Sequence, residues 1–272
     1  MATRIIVSVV LAPLFFIVLF FLPPVWLTVV VAGIVALASY ELLKATKAAD
    51  NALIYVCTAL AAAAIPFGHL AGLDVMVTEI AALLLMVVAF LEAIHRYDGE
   101  RAVPAEHVLF CLFGGVMIPT FLSSLIDLKL MENGRYLVLL PVICAFLTDT
   151  GAYFAGVFLG KHRGITRVSP NKSLEGYIGG IISGGVFMLL YGLILQNFAN
   201  LEVSLPLIAV YGLIGSFVTE LGDLSFSLIK RQFGVKDYGN LLPGHGGMLD
   251  RFDSMTFAAP MLLFLVRVQL PF

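Results

Sequence analysis

The chain has 272 residues, 60% of them apolar before its 25 glycines are counted, with 12% charged and a formal net charge of −2. Soluble domains reach about 45–50% apolar with glycine included and carry about 25% charged residues, so water is not the main solvent of this surface. The composition excludes a disordered chain, a coiled coil and a nucleic-acid binder with a dense basic face.

A membrane helix takes about 20 mostly apolar residues. Nine stretches meet that demand, roughly 5–22, 25–43, 52–68, 75–94, 107–126, 136–159, 176–196, 206–222 and 254–270. The first follows a lone Arg4 and runs from Ile5 to Leu22, longer than a signal-peptide core and without a small-residue cleavage site, so it reads as a retained span. Lipid offers backbone groups no partners, and no alternating barrel pattern is present. The expected fold is therefore an all-α polytopic membrane protein with about nine transmembrane helices.

Basic residues set the expected orientation. With the N-terminus in the cytoplasm, 13 of the 16 Lys and Arg fall on the cytoplasmic side, leaving Lys129, Arg135 and Arg267 on the other. The two longest polar segments, 160–175 and 223–253, then share the cytoplasmic side. Residues 1–135 read as N-terminal scaffold helices and 136–272 as a C-terminal catalytic half. Cys57, Cys111 and Cys144 lie in apolar runs and read as small core residues.

Acids in or beside the spans are Glu41, Glu79, Glu92, Asp149, Glu220 and Asp223. A carboxylate in hydrocarbon is costly and usually marks function. Glu41, Glu79 and Glu92 sit close enough to span ends to reach headgroups, which favours a structural role. Asp149 lies deeper. Glu220 and Asp223 are three apart and share a face if the helix continues, where two carboxylates would suit a hard cation such as magnesium.

The stretch from Ser227 to Ser254 interleaves Lys230, Arg231, Lys236 and Arg251 with Asp237, Asp250 and Asp253, and adds Gly244-His245-Gly246-Gly247. Basic side chains pair with phosphate oxygens, glycines let backbone N–H groups approach an anion, and aspartates hold the magnesium that bridges phosphates. A plain cytoplasmic loop would account for the Lys and Arg but not for the interleaved Asp and Gly. Upstream, Ser173 stands where it would cap a helix starting near Glu175, so that Lys172 would flank an anion-binding N-terminus. His69, His95, His107 and His162 are scattered at span ends without metal spacing and read as interfacial.

The run Ser227, Lys230, Arg231, Lys236, Asp237, Gly239, Pro243, Gly244, His245, Gly246, Gly247, Asp250, Arg251, Asp253 resembles, without a gap, the signature of phosphatidate cytidylyltransferases. The block Thr148-Asp149-Thr150, Ala152-Tyr153, then Ser169-Pro170, Lys172-Ser173 and Glu175-Gly176 is similar to the same family, with Ser173 where Thr is more usual and Val157 where the family has Arg. The resemblance covers 148–254. It implies transfer of CMP from CTP to phosphatidate, giving CDP-diacylglycerol and pyrophosphate, in phospholipid biosynthesis at the bacterial inner membrane. It also implies magnesium, a second cation and a homodimer. Asp223 and Asp250 match the family's metal-linked aspartates. The catalytic set is then Lys230, Arg231, Asp223, Asp250, Ser227 and His245, and the substrate-binding set Lys172, Ser173, Arg251, Lys236, Gly246 and Gly247. Asp149, Glu220, Asp237 and Asp253 are secondary candidates.

Two other classes compete. An ion-coupled secondary transporter would account for intramembrane acids, but it needs no cytoplasmic Gly-His-Gly-Gly segment, and no inverted repeat is visible. Another membrane phosphotransferase acting on a lipid phosphate would use similar residues.

Overall fold

The computed structural model describes residues 12–49, 51–97, 104–164, 166–241 and 246–272. These form helices and no named strand; Arg163 and Ser173 make an isolated antiparallel bridge. In chain order the helices are α1 (12–20), α2 (Pro24–Thr46), α3 (Ala52–Leu70), α4 (Asp74–His95), α5 (Ala105–Leu112), α6 (Ile118–Leu130), α7 (Gly134–Leu137), α8 (Leu139–Phe158), α9 (Leu174–Phe198), α10 (Leu205–Gln232) and α11 (Leu249–Val268). A π-helical turn, Phe113–Met117, joins α5 to α6.

Among the described residues seven helices are long and apolar enough to cross a membrane: α2, α3, α4, α5 with α6, α7 with α8, α9 and α10. This is the make-up of a multi-pass membrane protein. Of the two remaining expected spans, 5–22 lies partly outside the described residues. The other, 254–270, falls on α11, which carries Asp250 in its first turn and Arg267 in its last.

The chain divides into two compact units. The first takes the described residues up to Arg135 together with Gln232–Phe252, and the second takes Tyr136–Arg231 and Asp253–Phe272. In the first unit, α2 starts with Pro24, whose fixed φ suits an N-terminus, and ends at Lys47, which turns left-handed with φ 54°. Asn51 caps α3 by accepting the Ile54 N–H at 2.9 Å. The π turn falls at Gly114 and Gly115, where side chains are missing because neighbours are close. A Cβ at Gly114 would meet Leu42 at 3.1 Å, and one at Gly115 would meet Thr58 at 3.0 Å. Leu43, Ala48, Ala49, Ile54, Leu85 and Cys111 form a buried cluster. Leu83, Leu84 and Leu91 on α4 remain exposed, as lipid-facing side chains do.

In the second unit, α8, α9 and α10 approach closely over small residues. Gly176, Gly180 and Gly184 form a buried i, i+4 stripe on α9. A Cβ at Gly180 would meet Glu220 Oε1 at 2.8 Å, and one at Gly184 would overlap Ser216. Thr148 donates to Ser216 Oγ at 2.7 Å across this seam. Gly222 performs the same service for α11, since a Cβ there would meet the Asp253 carbonyl at 3.2 Å. All three cysteines are free; Cys111 and Cys144 are buried and Cys57 is half-buried.

Candidate active site

In the second unit, α10 continues ten residues past the expected span end at 222 and stops at Gln232. Glu220, Asp223, Ser227 and Lys230 therefore lie on one helix, spaced three, four and three residues apart, which puts them on one face. Glu220, Ser227 and Lys230 are buried.

Three further segments bring charge to this face. Ser173 is the N-cap of α9, accepting the Gly176 N–H at 3.1 Å, so Lys172 stands just outside the helix. The Lys172 ammonium donates to Glu220 Oε2 at 2.7 Å and lies 2.6 Å from Asp223 Oδ2. It also stands over the Tyr177 ring, 5.1 Å from the centroid. Burial opposes the Lys172 charge, but the Asp223 and Glu220 carboxylates outweigh it and hold the ammonium above its ordinary pKa. From α8, Asp149 accepts the Ser254 hydroxyl at 3.3 Å and interacts electrostatically with Asp223, Asp253, Lys172 and Glu220. From α11, Asp253 comes within 4.0 Å of the Lys230 ammonium. Arg231 is exposed and donates from Nε to the Val168 carbonyl at 3.3 Å.

The first unit holds the rest of the signature. Asp250 Oδ2 accepts the Tyr238 N–H at 2.8 Å and the Gly247 N–H at 2.9 Å. Gly246 has φ 86°, a left-handed conformation that favours glycine. Lys236, Asp237 and Arg251 are exposed. His245 lies outside the described residues, as do Pro243 and Gly244.

The sequence reading gave Ser254 no role and Glu41 only a structural one within reach of the headgroups. Ser254 is the hydroxyl on Asp149, and its only signal is its place beside Asp253. Glu41 is buried and accepts the Met248 and Leu249 N–H groups at 3.0 and 2.9 Å. Nothing in the spacing links residues 207 and 208 positions apart. His69 also departs from its interfacial expectation: it is buried, with Nδ1 2.7 Å from Asp127 Oδ1.

Among the described residues no group of three or more His, Cys, Asp or Glu is arranged to hold a metal ion. A magnesium site, however, commonly uses one or two carboxylates and completes its shell with phosphates and waters. The second unit fits that demand. Glu220 Oε1 is buried without a hydrogen-bond partner among the described residues, beside Asp223, and Asp149 and Asp253 add hard oxygen donors.

Residues 2–269 match the model of the cytidylyltransferase family. A phosphatidate cytidylyltransferase of Staphylococcus saprophyticus is 40% identical over 157 residues, which is 58% of each chain. Those of Staphylococcus epidermidis and Staphylococcus aureus are 44% and 42% identical over 135 residues, half of each chain. The chain thus spans between half and three-fifths of the length of the curated relatives it matches. The family match runs through both units, from the scaffold helices to the acidic face of α10, and on that ground the chain belongs to the cytidylyltransferase family.

Proposed function

We propose that this chain is a phosphatidate cytidylyltransferase that transfers CMP from CTP to phosphatidate. The observation that carries the reading is the Lys172 ammonium held between Glu220 and Asp223 on the polar face of α10. A membrane helix that buries both signs of charge on one face is suited to a highly charged ligand rather than to lipid. The family membership and the names of the relatives support the same reaction.

A phosphatidate phosphate oxygen attacks the α-phosphorus of CTP. A new P–O bond forms, the bond from the α-phosphorus to the bridging oxygen breaks, and pyrophosphate leaves in line. The attacking oxygen is already anionic at neutral pH, so no strong base is needed. Catalysis rests on positioning and on neutralising crowded negative charge. Lys172, Lys230, Arg231, Lys236 and Arg251 hold phosphate oxygens. Ser227, His245 and the Gly246 and Gly247 backbone orient them. Asp223 and Asp250 are the proposed magnesium ligands, with Asp149, Glu220, Asp237 and Asp253 in reserve. Magnesium, when bound, supplies positive charge to the polyphosphate and to the departing pyrophosphate. A second cation and a homodimer belong to the same proposal.

The topology is proposed as nine spans with the N-terminus in the cytoplasm, because that arrangement puts 13 of 16 basic residues inside. It puts the reaction at the cytoplasmic headgroup level of a bacterial inner membrane, where a lipid substrate meets a water-soluble one. The test is incubation of the purified protein with labelled CTP and phosphatidate. Lipid-linked CMP that appears only with both substrates and magnesium supports the proposal. Solute transport without nucleotide turnover, or labelled lipid formed without phosphatidate, overturns it.

A further inference from the structure

Glu41 belongs to α2, among the scaffold helices, and no step proposed above uses it. Its carboxylate is nevertheless buried against the signature segment of its own unit. It accepts the Met248 N–H through Oε1 at 3.0 Å and the Leu249 N–H through Oε2 at 2.9 Å, so both oxygens take backbone donors at the start of α11. Two glycines leave room for it. A Cβ at Gly239 or at Gly247 would overlap the Glu41 carboxylate, and the nearest atoms to that added Cβ are in both cases those of Glu41. Neither glycine has a positive φ, so close approach rather than backbone conformation explains why a side chain is missing.

The same short stretch holds Asp250. The Gly247 N–H, one residue before the pair that Glu41 holds, donates to Asp250 Oδ2 at 2.9 Å, and the Tyr238 N–H reaches the same oxygen at 2.8 Å. Successive backbone donors are thus divided between two carboxylates that repel each other. Glu41 takes Met248 and Leu249, and Asp250 takes Gly247. With Glu41 absent, the Met248 and Leu249 donors lose their acceptors, and the peptide that aims the Gly247 N–H at Asp250 loses its anchor.

We propose that Glu41 is a positioning residue for the signature segment, clamping Gly247–Leu249 so that Asp250 keeps one orientation. The glycines at 239 and 247 are there to admit it. The kinetic consequence rests on the function proposed above; the clamp itself does not.

The experiment compares full-length wild type, Glu41→Gln, Glu41→Ala, Gly239→Ala and Glu41→Ala/Gly239→Ala in detergent micelles. Hydrogen–deuterium exchange is read by peptide, and kcat and KM for CTP are measured separately. In Glu41→Ala, faster exchange is expected in peptides covering 246–250, with α3 and α4 unchanged. Loss of an outer support of this kind costs about 10–100-fold in activity. It should fall on kcat, with the CTP KM within about twofold and Glu41→Gln intermediate, because the amide keeps one acceptor. Gly239→Ala should reproduce the exchange change by displacing the carboxylate, and should add nothing to Glu41→Ala, where the space is already empty. Wild-type exchange over 246–250 in Glu41→Ala overturns the clamp. So does faster exchange throughout α3 and α4, which marks general loss of fold, or a double variant worse than Glu41→Ala. Wild-type kcat in Glu41→Ala overturns the positioning role. A wild type that makes no lipid-linked CMP sinks the proposed reaction instead, and the exchange results still decide the clamp.

Discussion

Replacing Lys172 by Met keeps most of its length and removes its charge, which tests the ion cluster without opening a large gap. Lys172 makes two charge-assisted contacts, at 2.7 Å to Glu220 and 2.6 Å to Asp223. Such a bond contributes about 1.5–3 kcal/mol, less where water screens it. The Glu220 side chain is 4% exposed, so its contact counts in full, while Asp223 at 24% is discounted by about half. The sum is about 3 kcal/mol, near the lower end of the roughly 3–5 kcal/mol seen when one partner of a buried pair is removed. At about 2–4 °C per kcal/mol, the apparent unfolding temperature in micelles should fall by about 6–12 °C. Most of that loss is the stranded Glu220 carboxylate, so Lys172→Met/Glu220→Gln should recover more than half of it. The pH dependence has a definite sign. The two carboxylates hold Lys172 above its ordinary value against the opposing effect of burial, so the native state binds this proton more tightly than the unfolded chain does. The contribution is fully present below the unfolded pKa of about 10.4 and fades as pH rises through the higher native value. The gap between wild type and Lys172→Met should therefore be flat from pH 7 to 10. A drop below about 2 °C, or a double variant no better than the single one, refutes the reasoning.

Asp223→Ala and Asp250→Ala should each abolish lipid-linked CMP formation while expression stays near wild type, and Glu79→Gln, on an exposed position of α4, should leave turnover unchanged. Wild-type turnover in either aspartate variant removes that residue from the metal role. Ser173→Ala removes the α9 cap and should cost about 1 kcal/mol, read as an apparent unfolding temperature about 2–4 °C lower. Gly184→Ala puts a methyl group into Ser216 and should cost about 1–3 kcal/mol, whereas Gly33→Ala meets nothing within 4 Å and should be neutral or slightly stabilising by the same measurement.

The helices were legible because lipid forces long apolar runs, and seven of the nine expected stretches coincide with helices fit to span. The extent of α10 was not, and the reason is physical. Charge at Asp223 and Lys230 reads as the end of a span, yet with Glu220 and Ser227 it falls at three- and four-residue spacing and marks one polar face of a continuing helix. The π turn at Phe113–Met117 leaves only Gly114-Gly115 as a trace, since the need for small residues comes from Leu42, Leu85 and Thr58 on other helices. The residue types of the site were legible because phosphate chemistry limits them to Lys, Arg, Asp and Gly. Their pairing was not. Lys172 meets Glu220 across 48 residues and Glu41 meets Leu249 across 208, and no local period carries such distances. Glu41 shows the consequence most clearly. Near a span end, an acid in isolation reads as a headgroup contact, because nothing around it in the chain supplies a donor. The donors that keep it buried are backbone N–H groups, which every residue except proline has, so a sequence cannot announce them. What it does announce is the missing side chains at Gly239 and Gly247 that such a carboxylate requires. An unexplained glycine in a charged segment is therefore the better place to look for a remote acid than the acid itself.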